Sequence, residues 1–462
     1  MNEKLKNILQ KEGNPKFEVI DTTFDPFEIF QKLCYFYDDL FIFESLEGPK
    51  ELVKSSIIGF NPSIKLKCTS NKIFVYKNNT LLDKIKTSDP FITISQSFPY
   101  KENNDYRYIG GLVGYISYEA VKLWENIPVK INKQFPLMEF GLYNDGIIYD
   151  HEKSRIVYFF YQKSRLPKII NIINSKDKKT EKFNFGNLER NMSEQEYEQK
   201  VKRIKKNLMA GDIFQAVLSK KIKFTFKGNP LSIYQTLRKI NPSPYMFYFK
   251  SNKRILIGAS PEMLLRITFD DVETYPIAGS RPVSSDKEIT DKLKDEMLKD
   301  EKEIAEHTML VDLARNDLGK ICKFGSVFTD QLMTVKQFSH IQHIVSHVTG
   351  KINQDYNAFD AFKAMFPAGT VTGAPKVRAM EIINDLEPEG RGPYAGAIGY
   401  FSFNKCCDFA KAIRSIFIND NKGYTQSGAG IVIDSMPNKE YQETEDKSNA
   451  IISSLKKFNK VT

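Results

Sequence analysis

Two pairs of glutamates carry the spacing best suited to chemistry in this 462-residue chain. Glu303 and Glu306 lie three apart in a segment with helical periodicity, so both carboxylates fall on one face. Glu440 and Glu443 repeat the spacing after Ser435-Met436-Pro437, which reads as a helix start, and Lys447 follows four residues later on the same face. Such pairs suit a hard divalent cation such as Mg²⁺, which binds one or two carboxylates and completes its shell with water and substrate oxygens. The same spacing also describes a solvated helix surface. Arg414 lies inside an apolar, strand-like run, 409–418, where an unpaired charge is costly. A ligand carboxylate met bidentately would satisfy it, and so would an internal Asp or Glu. His340, His343 and His347 fall at a helical spacing that invites a zinc reading. No glutamate joins them in a His-Glu-x-x-His frame, and packing accounts for the spacing.

Three glycine-rich turns separate apolar strands: Gly428-Ala429-Gly430, Gly369-Thr370-Val371-Thr372-Gly373-Ala374-Pro375, and the stretch from Gly392 to Gly399. Glycine permits close backbone approach, and exposed N–H groups can hold an anionic oxygen, although plain turn punctuation uses the same residues. None is a Walker A or dinucleotide fingerprint, because 369–376 has the wrong spacing and no Gly-Lys-Ser/Thr closes it.

The elements that must position these groups read as interleaved strands and helices. Short β-like runs occur at 73–76 and 155–161. Ser193 and Glu196 form a capping-box start, and Tyr197, Val201, Ile204 and Leu208 recur at helical spacing up to Gly211. A strand over 213–226 follows. The pattern predicts further helices over 231–240, 291–313, 358–365 and 374–385, and strands over 245–249, 255–258, 395–403, 409–418 and 429–434. Residues 163–191, with Lys176, Lys178 and Lys179, read as an exposed connection between an N-terminal portion, 1–165, and a portion holding the candidate chemistry, 190–462. No internal repeat is visible. The fold class is α+β with extensive sheet.

Bulk properties narrow the function classes. Hydrophobic residues make up 41% and charged residues 27%, as expected for a globular protein. The net charge of +10 comes from scattered lysines with no basic stripe interleaved with aromatics, which argues against nucleic-acid binding; an anionic substrate would benefit from steering by such a surface. The five cysteines match neither a zinc site nor a disulfide framework, so free thiols in a reducing, cytoplasmic setting are expected. The first residues mix charges without an apolar core, and no apolar run approaches the ~18 residues of a membrane span. No membrane association is expected.

Three blocks carry a resemblance. Glu-His-x-Met-Leu-Val-Asp-Leu-Ala-Arg-Asn-Asp-Leu-Gly from Glu306, Phe-Pro-Ala-Gly-Thr-Val-Thr-Gly-Ala-Pro-Lys from Phe366, and Gly-Ala-Gly-Ile-Val from Gly428 resemble the chorismate-utilising enzymes. Within them they resemble the synthase component (component I) of anthranilate synthase. The resemblance is close from Ser193 to the end and looser upstream, through Phe43-Glu44-Ser45 and Gly110-Gly111-Leu112-Val113-Gly114-Tyr115. It implies large antiparallel sheets forming a β-sandwich flanked by helices. In this family, water-adding members carry a lysine where Gln215 stands, and aminodeoxychorismate synthases often carry a nucleophilic lysine where Ala278 stands. This chain has neither.

The resemblance also implies roles. Glu306 and Glu443 would be Mg²⁺ ligands, with Glu303 and Glu440 supporting through metal-bound water. Tyr394 and Arg414, with Gly428, Ala429, Gly430 and neighbouring backbone, would hold the enolpyruvyl carboxylate of chorismate. Gly279, Ser280 (usually Thr in the family) and Thr370 belong to the same substrate site, and Lys447 would add a positive contact near the metal. Glu262 matches the general acid for the departing hydroxyl, and His343 the histidine linked to pyruvate loss. An amide such as Gln215 has no basic state near neutrality, which is compatible with ammonia as nucleophile. Glu44, Ser45 and the segment Asn241-Pro242-Ser243-Pro244-Tyr245-Met246 match a tryptophan feedback site.

These implications predict a lyase that aminates chorismate and eliminates pyruvate to give anthranilate, under inhibition by tryptophan. No Gly-x-Cys-x-Gly glutaminase segment is present, so ammonia would come from a separate glutamine amidotransferase subunit in a hetero-oligomer, or from free ammonium. Aminodeoxychorismate synthase component I and isochorismate or salicylate synthase are the rival enzymes. A catalytically silent regulatory or binding subunit is the rival of another class.

Overall fold

Side chains alternate between two cores along the long strands, as extended backbone with its period of two requires. In Asp39–Glu44, Leu40 and Ile42 enter one core and Phe41 the other. In Arg254–Ser260, Ile255 and Ile257 oppose Leu256, and in Ser415–Asn419, Ile416 and Ile418 oppose Phe417. The computed structural model describes residues 2–10, 13–49, 51–176, 183–284, 286–337 and 341–459. Among them the strands form two antiparallel sheets, of 13 and 12 strands. Phe41, Leu256 and Phe417 of the larger sheet share a core with Leu66, Val113 and Phe409 of the other, so the two sheets pack face to face. The second core lies between the larger sheet and helices Pro26–Leu33, Leu166–Ile173, Leu231–Ile240 and Pro437–Asn459. This is the α+β sandwich with flanking helices. No described helix is long and apolar enough to cross a membrane.

Strand order repeats about the middle of each sheet. In the larger one the central pair is Asp39–Glu44 against Tyr245–Ser251. Outward on one side run Ser55–Phe60, Asp145–Asp150, Arg155–Phe160 and Lys16–Ile20. On the other run Arg254–Ser260, Ser415–Asn419, Lys422–Ile431 and Gln215–Lys227. The second sheet centres on Gly111–Ile116 against Ala397–Ser402, followed by equivalent strands from each half. The sequence shows no such repeat, because topology fixes only which positions are apolar, not which residues fill them. Residues 1–165 and 190–462 therefore share both sheets. The connection between them carries the helix Leu166–Ile173, which buries Ile169, Ile172 and Ile173; Lys178 and Lys179 lie outside the described residues.

The chain crosses between sheets at adjacent points, and these crossings position the chemistry. Pro261-Glu262 links Arg254–Ser260 of the larger sheet to Met263–Thr268 of the other, and Ala412-Ile413-Arg414 returns from Cys407–Lys411 to Ser415–Asn419. The expected strand over 409–418 is thus two strands of different sheets. Both halves of that run are apolar, so its hydrophobicity hides the break, which is marked by Arg414 at φ 49°, a region non-glycine residues seldom occupy. The crossings are tied by Lys411 N–H to Glu262 O, 3.1 Å, and Ala259 N–H to Arg414 O, 3.2 Å. In the first half, Asn61-Pro62-Ser63 and Asn144 occupy the equivalent crossings, joined by Asn144 Nδ2 donating to Ser63 Oγ at 2.6 Å.

Two further expectations are corrected. The helix over 291–313 is two helices, Lys287–Lys299 and Glu301–Gly319, because Asp300 turns extended and caps the second through the Lys302 and Glu303 N–H groups. The histidine run is not helical: His343 and His347 lie in the strand Ile341–Lys351, and His340 lies outside the described residues. The capping box of Ser193 and Glu196 forms as expected.

Glu119, fully buried, accepts the Gly392 N–H at 2.7 Å, and burial pushes its carboxyl up to about 7 against the lowering effect of that bond. The folded state therefore binds this proton more tightly than the unfolded chain. The stabilisation is present below the ordinary carboxyl value and is lost as pH rises toward 7, by about 3 kcal/mol. Glu119→Gln should lose less stability than the wild type between pH 4.5 and 7.5, as read from urea midpoints; parallel pH responses would reject the assignment.

Candidate active site

The catalytic candidates meet where the crossings face the helix Glu301–Gly319 and the turn Gly369–Val371. Glu262 Oε2 accepts from Lys411 Nζ at 2.6 Å and from Thr370 Oγ1 at 3.1 Å, and Lys411 Nζ also reaches Thr370 Oγ1 at 2.9 Å. Burial would raise the Glu262 carboxyl, but the charge and hydrogen bond of Lys411, the Thr370 hydroxyl and nearby His343 outweigh it and hold the group below its ordinary range. His343 Nδ1 lies 2.7 Å from Gly279 O. A carbonyl only accepts, so Nδ1 carries the hydrogen. Burial and the nearby Arg414 charge lower the His343 pKa, which leaves a neutral ring whose Nε2 is the basic nitrogen.

Arg414 is partly buried, and among the described residues no carboxylate forms an ion pair with its guanidinium. Burial lowers its pKa while Glu262 opposes the shift. Tyr394 is buried, and its hydroxyl is raised by burial, with Arg391 opposing the shift and Glu387 and Glu262 adding to it.

The acidic pairs converge on the same region. Gln215 Nε2 donates to Glu306 Oε1 at 2.9 Å, while Gln215 Oε1 is buried without a hydrogen-bond partner. Burial raises Glu306, the Gln215 bond opposes it, and Glu303 and Glu443 add repulsion. Glu440 is raised by burial, with Glu443 adding to it and the Ser435 hydrogen bond opposing. Glu443 pairs with Lys447 at 2.6 Å, and Lys447 also donates to Gly428 O at 3.1 Å. Glu303 is held by Arg281 at 3.0 Å, and a side chain on Gly279 would come within 3.0 Å of Glu303 Oε2, which joins the acidic cluster to the His343 side. Gly430 packs on the Gln215 amide, where a Cβ would lie 2.6 Å from Nε2. Ala429 is buried, and the exposed Ser280 accepts from the Arg281 guanidinium through its carbonyl. Among the described residues no three acidic, histidine or cysteine groups close around a single point as a cage. Mutually repelling carboxylates on two facing helices nonetheless fit a cation that keeps water and substrate oxygens in its shell.

A separate cavity of about 50 Å³ lies on the axis of the repeat, lined among others by Glu44, Ser45, Tyr245, Met246, Tyr400 and Ala410. It is well below the ~300–1,000 Å³ of typical small-molecule sites, so a ligand there requires its walls to move apart. Both oxygens of Glu44 are engaged, by Arg238 at 2.8 and 2.9 Å and by Tyr234 at 2.7 Å. Asn241, Pro242, Ser243 and Pro244 precede the lining strand, with Ser243 O accepting the Leu46 N–H.

Sequence reasoning passed over Lys411, Glu387 and Arg391. Lys411 carried the same signal as Arg414, a charge inside an apolar run. Fully buried Arg391 sits between two glycines; it pairs with Glu387 at 2.7 and 2.9 Å and donates to Val371 O and Val217 O at 2.7 and 2.8 Å. Glu387 also accepts from the N–H and hydroxyl of Ser219. Arg391→Met would strand a buried carboxylate and should cost about 3–5 kcal/mol, read as a lower urea midpoint, with loss of activity in the surviving folded protein. An unchanged midpoint would show that the pair does not hold these segments.

The model of the chorismate binding enzyme family matches residues 38–453. The chain is 41% identical over 442 residues to anthranilate synthase component 1 of Methanothermobacter thermautotrophicus, covering 96% of this chain and 94% of that one. It is 41% identical over 428 residues to the protein of that name from Saccharolobus solfataricus, covering 92% and 96%. The crystal structure of anthranilate synthase component I from Streptococcus pneumoniae superposes with a TM-score of 0.77 at 33% identity, covering 86% of this chain and 92% of that one. The menaquinone-specific isochorismate synthase MenF from Escherichia coli shares the fold, with a TM-score of 0.72 at 17% identity over 98% of both chains. A match spanning both sheets, together with relatives similar over nearly their whole length, makes the chain a member of the chorismate-binding enzyme family.

Proposed function

We propose that this chain is the synthase component of anthranilate synthase, a lyase that converts chorismate and ammonia to anthranilate, pyruvate and water. The observation that carries this reading over water addition is Gln215. Its Nε2 is committed to Glu306, so its buried, unpartnered Oε1 presents an acceptor and no base. Ammonia needs an acceptor to orient it and no deprotonation, whereas water needs a base. The absence of lysine at both Gln215 and Ala278 is consistent with this.

Arg414 and Tyr394 would bind the enolpyruvyl carboxylate, together with backbone at Gly428–Gly430. Glu306 and Glu443, supported by Glu303 and Glu440, would hold Mg²⁺, which when bound neutralises the ring carboxylate. Gln215 orients ammonia toward ring C2. As the C–N bond forms, the C4–O bond breaks and the departing oxygen takes a proton from the Glu262 side. In the second step the neutral His343 removes the C2 proton through Nε2, and pyruvate leaves as the ring becomes aromatic. Ammonia would be supplied by a glutamine amidotransferase subunit, and the free thiols suit the cytoplasm. The axial cavity, joining strands from both halves, is the candidate site for tryptophan feedback.

The purified chain with chorismate, Mg²⁺ and ammonium should produce the blue fluorescence of anthranilate. Accumulation of 4-amino-4-deoxychorismate or isochorismate would select a rival enzyme, and no turnover of chorismate would select a silent subunit. EDTA should abolish the signal and Mg²⁺ restore it, and Glu306→Gln should lose it at any Mg²⁺ concentration; full activity in EDTA would remove the metal from the scheme. Gln215→Ala should raise the ammonium KM about tenfold while the chorismate KM changes little, given one lost buried hydrogen bond. Tryptophan should suppress the wild-type signal. Met246→Trp, whose ring fills the axial cavity, should still make anthranilate but ignore tryptophan; retained inhibition would move the feedback site elsewhere.

A further inference from the structure

Glu262 is asked to donate a proton, yet it lies against an ammonium group that favours its ionised form. Lys411 is only 4% exposed, its Nζ is 2.6 Å from Glu262 Oε2, and Thr370 Oγ1 completes the triangle. The lysine reaches this point from the end of Cys407–Lys411, and together with Thr370 it lines a small cavity of about 30 Å³ walled by Leu264, Leu310, Met365 and Asp317, whose carboxylate is taken up by Lys320 and Lys376. Among the described residues no other cationic group donates a hydrogen bond to this carboxylate. His343 faces it as a neutral ring whose hydrogen is committed to Gly279 O, Arg414 cannot give up a proton near neutrality, and the Tyr394 hydroxyl is pushed upward by burial.

We propose that Lys411 is a positioning residue that stores the proton Glu262 delivers to the departing ring hydroxyl. With substrate bound, the proton moves from Nζ to the carboxylate within their existing hydrogen bond, converting an ammonium–carboxylate pair to an amine–acid pair with no change in net charge. The C4–O bond then breaks with its electron pair on oxygen, and that oxygen takes the Glu262 proton and leaves as water. The nitrogen lone pair of ammonia forms the bond to C2, and the surplus proton on nitrogen passes to solvent, from which Lys411 is recharged. An amine holds a proton to higher pH than a carboxyl does, so the pair retains a transferable proton at pH values where an isolated carboxyl would be empty.

This inference rests on the proposed amination, and the experiment separates the two. Anthranilate formation is followed from pH 6.5 to 9.5 at constant free NH₃ in wild type, Lys411→Met and Lys411→Arg, each checked for folding by circular dichroism. Wild-type failure to make anthranilate sinks the proposed function itself. With wild type active, Lys411→Met should lower kcat about 10–100-fold, within the range of general acid catalysis. Its chorismate KM should stay within threefold, and the alkaline limb of its kcat profile should move to lower pH. Lys411→Arg keeps the charge but cannot release a proton in this range, so it should remain as impaired as Lys411→Met. Rescue by arginine would reduce Lys411 to an electrostatic prop and overturn the proposal. An unchanged limb or a higher kcat in Lys411→Met would do the same. Should Lys411→Met fail to fold, the arginine variant alone carries the decision.

Discussion

The Arg391–Glu387 pair is the constraint on which the site depends. One guanidinium spends its donors on a carboxylate and on two carbonyls, and these belong to the strand that carries Gln215 and to the turn that carries Thr370. Its carboxylate partner fixes Ser219 on that same strand. Two segments about 150 residues apart in sequence are thereby locked by hydrogen bonds at a buried point. Tyr118 and Tyr394 present their rings to the buried cation, so a wall of the candidate site is built on the same group.

Around this anchor the charges are sorted by sign. The acidic pairs face one another from two helices, and each is partly offset: Glu303 by Arg281, Glu443 by Lys447 and Glu306 by an amide. The cationic groups Arg414 and Lys411 sit across from them, at the crossings between sheets. Under the proposed function, a doubly anionic ring compound with a cation between it and the glutamates would complete this pattern. The strained backbone of Arg414 fits a side chain held ready for a charge that arrives with the ligand.

Much of this was legible in the sequence wherever the signal was local. Glu-x-x-Glu spacing, the capping box at Ser193 and the helix start at Pro437 depend on residues within a few positions of each other, and they formed as read. The break at 412–414 was not legible, because the run on either side is apolar and strand-like whichever sheet receives it. The spacing of His343 and His347 fitted a helix and a strand alike, since positions four apart share a face in both. The repeat of strand order left no trace, because equivalent positions need only matching burial. Lys411 and Arg391 were readable only as charges in the wrong surroundings; their partners are 149 and 4 residues away, and only the former pairing is remote in the chain.

The strand Cys407–Lys411 separates two compartments. Ala410 faces the small axial cavity, and the next residue, Lys411, turns to the opposite side against Glu262. In the other sheet, Met246 lines that cavity and is paired with Ala259, three residues before Glu262. A partition one strand thick thus divides an apolar chamber from a proton-handling couple, and adjacent residues point into each. A molecule that opened the chamber would bear on this partition and, through it, on the Lys411–Glu262 pair. Communication between the two compartments needs no relay across the molecule, only the thickness of one shared wall.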